Sequence, residues 1–228
     1  MKRRLCNPVY AAALVALAAA PAAAGWPYDA PPSLDADELL ARVTERYERL
    51  ADFRAELTVV TSSAFLGETA SSSGKLYAKT PNLLRVEFST PYEQTVVFDG
   101  EYLYAYVAGA DQVVRYAGAD VGYLVDLPGT LESLATDYDV VLVSETGGQA
   151  YELKLTAKKT ALAFREIRVW VDPETSLARR ADFYDRGGNV TSYRLSAYSL
   201  NVGLAPSLFR FDVPAGVEVV ELAGSYRP

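Results

Sequence analysis

Apolar and polar residues alternate with a period of two through most of the chain from Phe53 onward. Such alternation is typical of β-strands that have one buried face and one exposed face. The alternating segments are short, and turn-forming residues separate them, as at Thr80-Pro81-Asn82, Asp99-Gly100 and Gly187-Gly188. About eleven or twelve short strands joined by tight turns favour an antiparallel β meander. The expected fold class is therefore mainly β with a few helices (α+β).

One helix precedes the predicted strands, and a helical interruption divides them. Asp35 is expected to cap the first helix, with Glu38 in the reciprocal capping position. An apolar stripe at helical spacing follows, formed by Leu39, Leu40, Val43, Tyr47 and Leu50. Residues 117–136 predict two short helices on either side of a Pro-Gly pair, and these helices include Leu124 and Leu131. Amphipathic helices of this kind need an apolar surface to cover.

The N-terminal segment has the three parts of a secretory signal peptide. Lys2, Arg3 and Arg4 form a basic start, residues 9–20 form an apolar run, and Ala22-Ala23-Ala24 form a small-residue cleavage site. The apolar run has about a dozen residues, whereas a membrane-spanning helix needs about 20. We therefore expect residues 1–24 to be a cleaved signal peptide, residues 25–34 a flexible lead-in, and residues 35–228 one exported domain.

The composition argues against several classes of function. The chain contains no histidine, and its one cysteine, Cys6, lies inside the predicted signal peptide. Histidine is the commonest general base and metal ligand, so we expect no catalytic residue, no metal site and no cofactor. The net charge of −7 disfavours nucleic acid as a partner.

The Asp99-Gly100 turn predicts which residues share a face of the sheet. A two-residue hairpin loop would pair Val97 with Tyr102. One face then carries Thr95, Val97, Tyr102, Tyr104 and Tyr106, and the other carries Val96, Phe98, Leu103 and Ala105. Because both faces are partly apolar, the pattern fits either a sandwich with two buried layers or a curved sheet with an apolar concave side.

Two segments have the residue order of a known family. The first is YAKTPNLLRVEFSTPYEQTVVFDGEYLYAY, from Tyr77 to Tyr106, with a strand, then x-P-N-L, an alternating strand, a proline, and a strand that runs into Asp-Gly and an aromatic-rich return strand. The second is SLFRFDVPAGVEVVE, from Ser207 to Glu221, which is similar to a terminal F-x-F-x-x-P-x-G-V-x-V pattern. In this order the segments resemble the periplasmic outer-membrane lipoprotein carriers of the LolA type.

The resemblance implies an incomplete antiparallel β-barrel of about eleven strands with an α-helical lid over an apolar cavity. It implies a monomeric periplasmic carrier that shields the acyl chains of lipoproteins. An inner-membrane lipoprotein-releasing transporter would supply this cargo, and an outer-membrane lipoprotein acceptor would receive it. The alternative is a lipid- or lipoprotein-sensing envelope-stress regulator of the same fold.

The resemblance and the alternation together select candidate residues for the site. The cavity is expected to be lined by Leu57, Val59, Leu84, Val86, Phe88, Val97, Tyr104, Ile167 and Val169, with Leu84 at its mouth. The lid is expected to use Leu39, Val43, Leu50, Leu124 and Leu131.

Position 80 departs from the family pattern. An arginine that latches the lid commonly stands before the proline of x-P-N-L, and Thr80 takes that place here. Threonine offers a single hydroxyl where arginine offers several donors. Lys79 and Arg85 are possible substitutes, although alternation places both on the opposite face from Thr80.

Overall fold

The structure, a computed structural model, describes residues 34–117, 134–145 and 150–222. Within these residues, twelve strands lie in one sheet with the order β12-β6-β5-β4-β3-β2-β1-β11-β10-β9-β8-β7. The elements are α1 (Ala36–Glu48), β1 (Asp52–Ser62), β2 (Thr69–Lys79), β3 (Leu83–Thr90), β4 (Gln94–Phe98), β5 (Tyr102–Val107), β6 (Gln112–Ala117), β7 (Tyr138–Glu145), β8 (Tyr151–Ala157), β9 (Phe164–Val171), β10 (Ala178–Asp185), β11 (Val190–Leu200), the 3₁₀ helix η1 (Pro206–Phe209) and β12 (Glu218–Leu222).

The sheet is open. Strands β1–β6 form one meander and β7–β11 form another, and β11 returns to pair with β1, which joins the two. The end strands, β12 and β7, do not pair with each other in the described part of the chain. The expectation of a mainly β, incomplete barrel is confirmed, with twelve strands rather than about eleven.

Helix α1 forms where the sequence predicts it. The Asp35 carboxylate accepts a hydrogen bond from the Glu38 backbone N–H at 2.8 Å, which satisfies one of the free donors of the first turn. Leu39, Val43 and Tyr47 form its buried stripe. Within the residues that the structure describes, no helix is long and apolar enough to cross a bilayer.

Strand β2 is longer than the sequence predicts. The small polar residues 67–74 suggest a turn region, but β2 begins at Thr69 and pairs with β1 along its whole length. Gly74 explains part of this unusual composition, since a Cβ atom there would lie 2.0 Å from the Glu87 carbonyl oxygen. The close approach of β3 therefore requires glycine, and pairing on both sides holds the strand without large side chains.

The β4–β5 hairpin has a different register from the predicted one. Phe98 pairs with Leu103 and Val97 pairs with Tyr104, so the innermost pair of the hairpin encloses four residues, 99–102, rather than two. The Asp99 carboxylate closes this loop by accepting the backbone N–H groups of Glu101 at 2.9 Å and Tyr102 at 2.8 Å. The register differs by two residues, so the predicted assignment of side chains to faces still holds.

The C-terminal segment also departs from the prediction. Alternation suggests a strand over residues 209–213, but the structure places η1 at Pro206–Phe209 and resumes pairing only at β12. Strand β12 pairs with β6 in parallel, so this edge departs from the predicted antiparallel pairing. Because β12 follows the long connection from β11, it can run in the same direction as β6.

The pairing register assigns each side chain to one of two faces. The apolar stripe of α1 packs in one core cluster with one face of the sheet, which we call the inner face. Its main residues are Phe53, Ala55, Leu57, Val59, Leu76, Ala78, Leu84, Val86, Phe88, Val96, Phe98, Leu103, Ala105, Leu153, Leu155, Ile167, Val169, Val171, Phe183, Tyr193 and Leu195. We call the other side the outer face.

Candidate functional site

Seven of the nine predicted cavity residues share the inner face. They are Leu57 and Val59 on β1, Leu84, Val86 and Phe88 on β3, and Ile167 and Val169 on β9. Leu57, Leu84, Val86 and Ile167 are buried, whereas Val59, Phe88 and Val169 are partly exposed. Leu84 is 0% exposed, so it is a core residue rather than a residue at a cavity mouth.

Val97 and Tyr104 lie on the outer face, and their predicted place beside Leu84 is wrong. Leu84 pairs with Phe98, so strand alternation turns Val97 to the opposite side. The C-terminal segment covers this part of the outer face. The Tyr104 ring stacks on Phe211 at 5.4 Å between ring centroids, and Arg85 Nη1 donates to the Leu208 carbonyl at 3.2 Å.

The inner face of β1–β5 carries no charged residue at the positions that pair across these strands. Its polar positions are Thr61, Ser72 and Gln94, which lie toward the strand ends that are farther from the C-terminal end of α1. A surface of this kind favours apolar ligands, because a buried charge without a partner is costly. In the part of the chain that the structure describes, no cluster of acidic side chains is arranged to hold a metal ion.

Charged side chains collect instead on the outer face of β8–β10. Arg168 pairs with Glu166 at 2.7 Å and with Glu152 at 3.2 Å. The Arg180 guanidinium lies 4.5 Å from the centroid of a Trp170 ring. The two faces therefore differ strongly in polarity along these strands.

The described residues include only part of the predicted lid. Leu39, Val43 and Leu50 are all buried in the core cluster with the inner face. Leu124 and Leu131 lie outside the described residues. Helix α1 thus covers the inner face through apolar contacts, which have no directional requirement.

Tyr47 anchors the C-terminal end of α1 to Ala178 of β10, and Tyr198 of β11 bonds to the same residue. Tyr47 Oη accepts the Ala178 backbone N–H at 3.2 Å, and Tyr198 Oη donates to the Ala178 carbonyl at 2.7 Å. Burial raises the pKa of Tyr47. Burial is also the main cause of the raised pKa of Tyr198, and the neighbouring Tyr47 raises it further. Both hydroxyls therefore stay protonated, as the Tyr198 bond to a carbonyl requires.

Thr80, at the predicted latch position, contacts the residues that leave α1. Its hydroxyl donates to the Leu50 carbonyl at 2.6 Å, and its backbone N–H donates to the Ala51 carbonyl at 3.0 Å. Lys79 and Arg85 do not take this place, because Lys79 approaches Asp52 and Arg85 bonds to Glu87. Position 80 therefore fixes the exit of the helix with one side-chain bond.

Asp52 joins the start of β1 to the end of β11. Its carboxylate is 2% exposed and accepts backbone N–H groups from Val202 at 2.7 Å, Gly203 at 3.1 Å and Leu204 at 2.9 Å. Lys79 Nζ lies 3.5 Å away. Burial alone would raise the pKa of Asp52, but these donors outweigh it and hold the pKa below its ordinary value.

Asp52 has no role in the sequence predictions because its donors lie about 150 residues away along the chain. The available signals are weak: an acidic residue at the start of a strand, and the turn-forming Asn201-Val202-Gly203. Asn201 has a φ of 51° and also accepts the Ala51 N–H through its side chain at 2.8 Å. Neither signal alone predicts that the two segments meet.

These features define a half-barrel protein with an apolar inner face that a helix covers. The sequence matches the family described as outer membrane lipoprotein carrier protein LolA over residues 51–212. The chain therefore belongs to the LolA family.

Known relatives agree with this assignment. The outer-membrane lipoprotein carrier protein of Nitrosospira multiformis is 31% identical over 176 residues, which cover 75% of this chain and 80% of that protein. The protein of the same description from Haemophilus ducreyi is 29% identical over 79% of this chain and 83% of its own length. A crystal structure of an uncharacterized conserved protein from Thermus thermophilus has the same fold, with a TM-score of 0.54, 17% identity, and coverage of 82% of this chain and 99% of that one.

The carboxylate of Asp52 provides a test of the junction. We expect Asp52→Asn to lower the free energy of unfolding near neutral pH by about 1.5–3 kcal/mol, because backbone donors lose a charged acceptor. Urea denaturation followed by circular dichroism measures this change. The control is Asp212→Asn at an exposed position, which should change stability by less than about 0.5 kcal/mol.

The effect of Asp52→Asn should also depend on pH. A carboxylate with a lowered pKa in the folded state stabilises the protein above its unfolded-state pKa, and this contribution is lost as the pH falls. The difference between wild type and variant should therefore persist from about pH 7 to about pH 5 and shrink over the range below about pH 4, where the lowered pKa of Asp52 lies. A difference that stays constant over this range would contradict the role given to Asp52.

Proposed function

We propose that this protein is a periplasmic carrier that holds the acyl chains of lipoproteins against its inner face. The observation that carries the proposal is the uncharged inner face of β1–β5, which shares one apolar core cluster with α1, in a member of the LolA family. An acyl chain needs dispersion contacts and exclusion of water, and a surface of this composition offers both. The proposed function is to bind and release acyl chains rather than to catalyse a reaction.

The energetics of acyl chains explain the need for a carrier. Each CH₂ group removed from water contributes about 0.8 kcal/mol, so a lipoprotein with several acyl chains does not leave a membrane unaided. In the structure, Leu39 and Val43 of α1 occupy the apolar core that the inner face forms. Acyl chains that replace these side chains exchange one set of apolar contacts for another, which keeps the free-energy difference between the empty and loaded forms small.

The carrier role requires a donor and an acceptor of cargo. We propose that an inner-membrane lipoprotein-releasing transporter loads the protein and that an outer-membrane lipoprotein acceptor unloads it. The names of the curated relatives support the lipoprotein cargo. No feature of the described residues favours the envelope-stress regulator over the carrier.

Export follows from the N-terminal sequence. We expect the signal peptidase to cleave after Ala24, because Ala22-Ala23-Ala24 follows a basic start and a short apolar run. N-terminal sequencing of the protein from a periplasmic extract should then begin at Gly25. Recovery of the intact N-terminus in the membrane fraction would contradict cleavage.

Val59 and Val60 allow a matched test of the inner face. They are neighbours on β1, both are partly exposed, and alternation places Val59 on the inner face and Val60 on the outer face. We expect Val59→Glu to weaken binding of a fluorescent fatty-acid probe by at least about tenfold, because a charge would meet the acyl chain. Titration of the probe with purified protein in the absence of membranes measures this affinity.

Val60→Glu is the control, since it makes the same substitution in the same strand on the opposite face. It should bind the probe as the wild type does, and circular dichroism should show that both variants are folded. Equal losses in the two variants would contradict the assignment of the inner face as the ligand site.

A further inference from the structure

The hairpin between β1 and β2 exposes two large apolar side chains at its tip. Phe65 is 93% exposed and Leu66 is 63% exposed, the highest values among the large apolar side chains of the described residues. The flanking residues are small or polar, and Ser62 Oγ lies 3.2 Å from Thr69 Oγ1. The tip therefore presents an isolated apolar pair on a polar stem.

Hydrogen bonds fix the shape of this tip. The Ser63 N–H donates to the Glu68 carbonyl at 2.9 Å, and the Gly67 N–H donates to the Ser63 carbonyl at 2.9 Å. Gly67 has a φ of 67°, a conformation that favours glycine, and so completes the turn. The backbone thus holds both side chains outward, away from the core.

The neighbouring β10–β11 turn braces the tip. The Ala64 N–H donates to Asn189 Oδ1 at 3.0 Å. Asp185 in turn fixes Asn189, accepting its backbone N–H at 2.8 Å and its side-chain amide at 2.7 Å. Two hairpin ends therefore support one apolar projection, which lowers the entropy cost of inserting it into another phase.

We propose that Phe65 and Leu66 insert into the interfacial region of a lipid bilayer. Phenylalanine and leucine bury favourably at the boundary between headgroups and acyl chains. Two side chains cover far less than the roughly 1,200 Å² that a stable protein–protein interface buries, so a protein partner fits the tip poorly. A bilayer needs no complementary surface and accepts a small apolar wedge.

The charge of the chain selects the kind of bilayer. The protein carries a net charge of −7, and the tip itself, residues 63–68, contains Glu68 and no basic residue. Anionic headgroups would therefore repel the protein. The expected target is therefore a bilayer of zwitterionic lipids, which the tip binds by inserting its apolar side chains rather than through charge.

The position of the tip connects this contact to the proposed cargo site, and this step rests on the proposed function. The inner-face positions that lead from the tip along β1 and β2 are Thr61, Val59, Ala70 and Ser72, all uncharged. The tip lies about 30 Å along β1 from the anchored exit of α1. Insertion would therefore place the end of the inner face that is remote from this anchor against the membrane.

Binding to phosphatidylcholine vesicles, measured with the mature chain from Gly25 onward, tests the proposal. Vesicle flotation should recover the wild type with the lipid, and the double variant Phe65→Ser/Leu66→Ser should have a partition coefficient at least about tenfold lower. Val202→Ser is the control, because Val202 is also exposed (45%) in a turn, but it lies beside Asp52 at the opposite end of β1 from the tip. It should bind vesicles as the wild type does.

A second variant reports insertion directly. The tryptophan emission of Phe65→Trp should shift to shorter wavelength with phosphatidylcholine vesicles, and lipids brominated on their acyl chains should quench it. Equal vesicle binding by wild type and the double variant would overturn the proposal. Absence of vesicle binding by the wild type would also overturn it and would leave a partner protein as the occupant of the tip.

The fatty-acid probe separates this proposal from the proposed function. The double variant should bind the probe in solution as the wild type does, because Phe65 and Leu66 lie outside the core cluster of the inner face. Loss of vesicle binding with intact probe binding therefore supports the tip proposal. Failure of the wild type to bind the probe would reject the carrier function and leave the vesicle result unaffected.

Discussion

Strand β1 pairs along nearly its whole length with β2 on one side and with β11 on the other, and this double ladder joins the two meanders into one sheet. Its register decides which side chains face α1, because a shift of one residue would turn Leu57 and Val59 outward and Glu56 inward. Asp52 holds one end of the strand through the backbone of residues 202–204. The braced β1–β2 turn holds the other end.

The same junction fixes one end of α1 and leaves the rest of the helix to apolar contacts. Two hydrogen bonds lie at its C-terminal end, one accepted by Tyr47 and one donated by Thr80, whereas Leu39 and Val43 contribute only packing. Directional bonds resist displacement, but packing can be exchanged for an acyl chain of similar apolarity. A cover of this kind combines a fixed attachment point with a replaceable contact, which a carrier needs in order to accept and release its cargo.

The sequence predicts the features that local patterns determine. The cap at Asp35, the stripe of α1 and most strands follow from periodicity and turn chemistry, and the seven inner-face residues follow from alternation together with the family resemblance. The predictions fail where distant segments meet. Val97 and Tyr104 are as apolar as the inner-face residues because the C-terminal segment covers them, and alternation cannot distinguish a surface buried by a helix from one buried by a returning chain.

Side-chain bonds within and between loops account for the remaining differences. The carboxylate of Asp99 selects a longer hairpin loop than the Asp-Gly pair suggests. The donors for Asp52 come from a turn at the far end of the domain, and parallel pairing of β12 with β6 has no local signature. These contacts depend on the folded arrangement, so one sequence without an alignment does not reveal them.

Site-specific photo-crosslinking to a synthetic triacylated lipopeptide tests the central claim most directly. A photoreactive amino acid would replace one residue at a time: Val59 and Phe88 on the inner face, and Val60 and Glu87 on the outer face. If the inner face holds the acyl chains, positions 59 and 88 should label the lipid portion, while positions 60 and 87 should not. Equal labelling from both faces, or labelling from the outer face alone, would contradict the account.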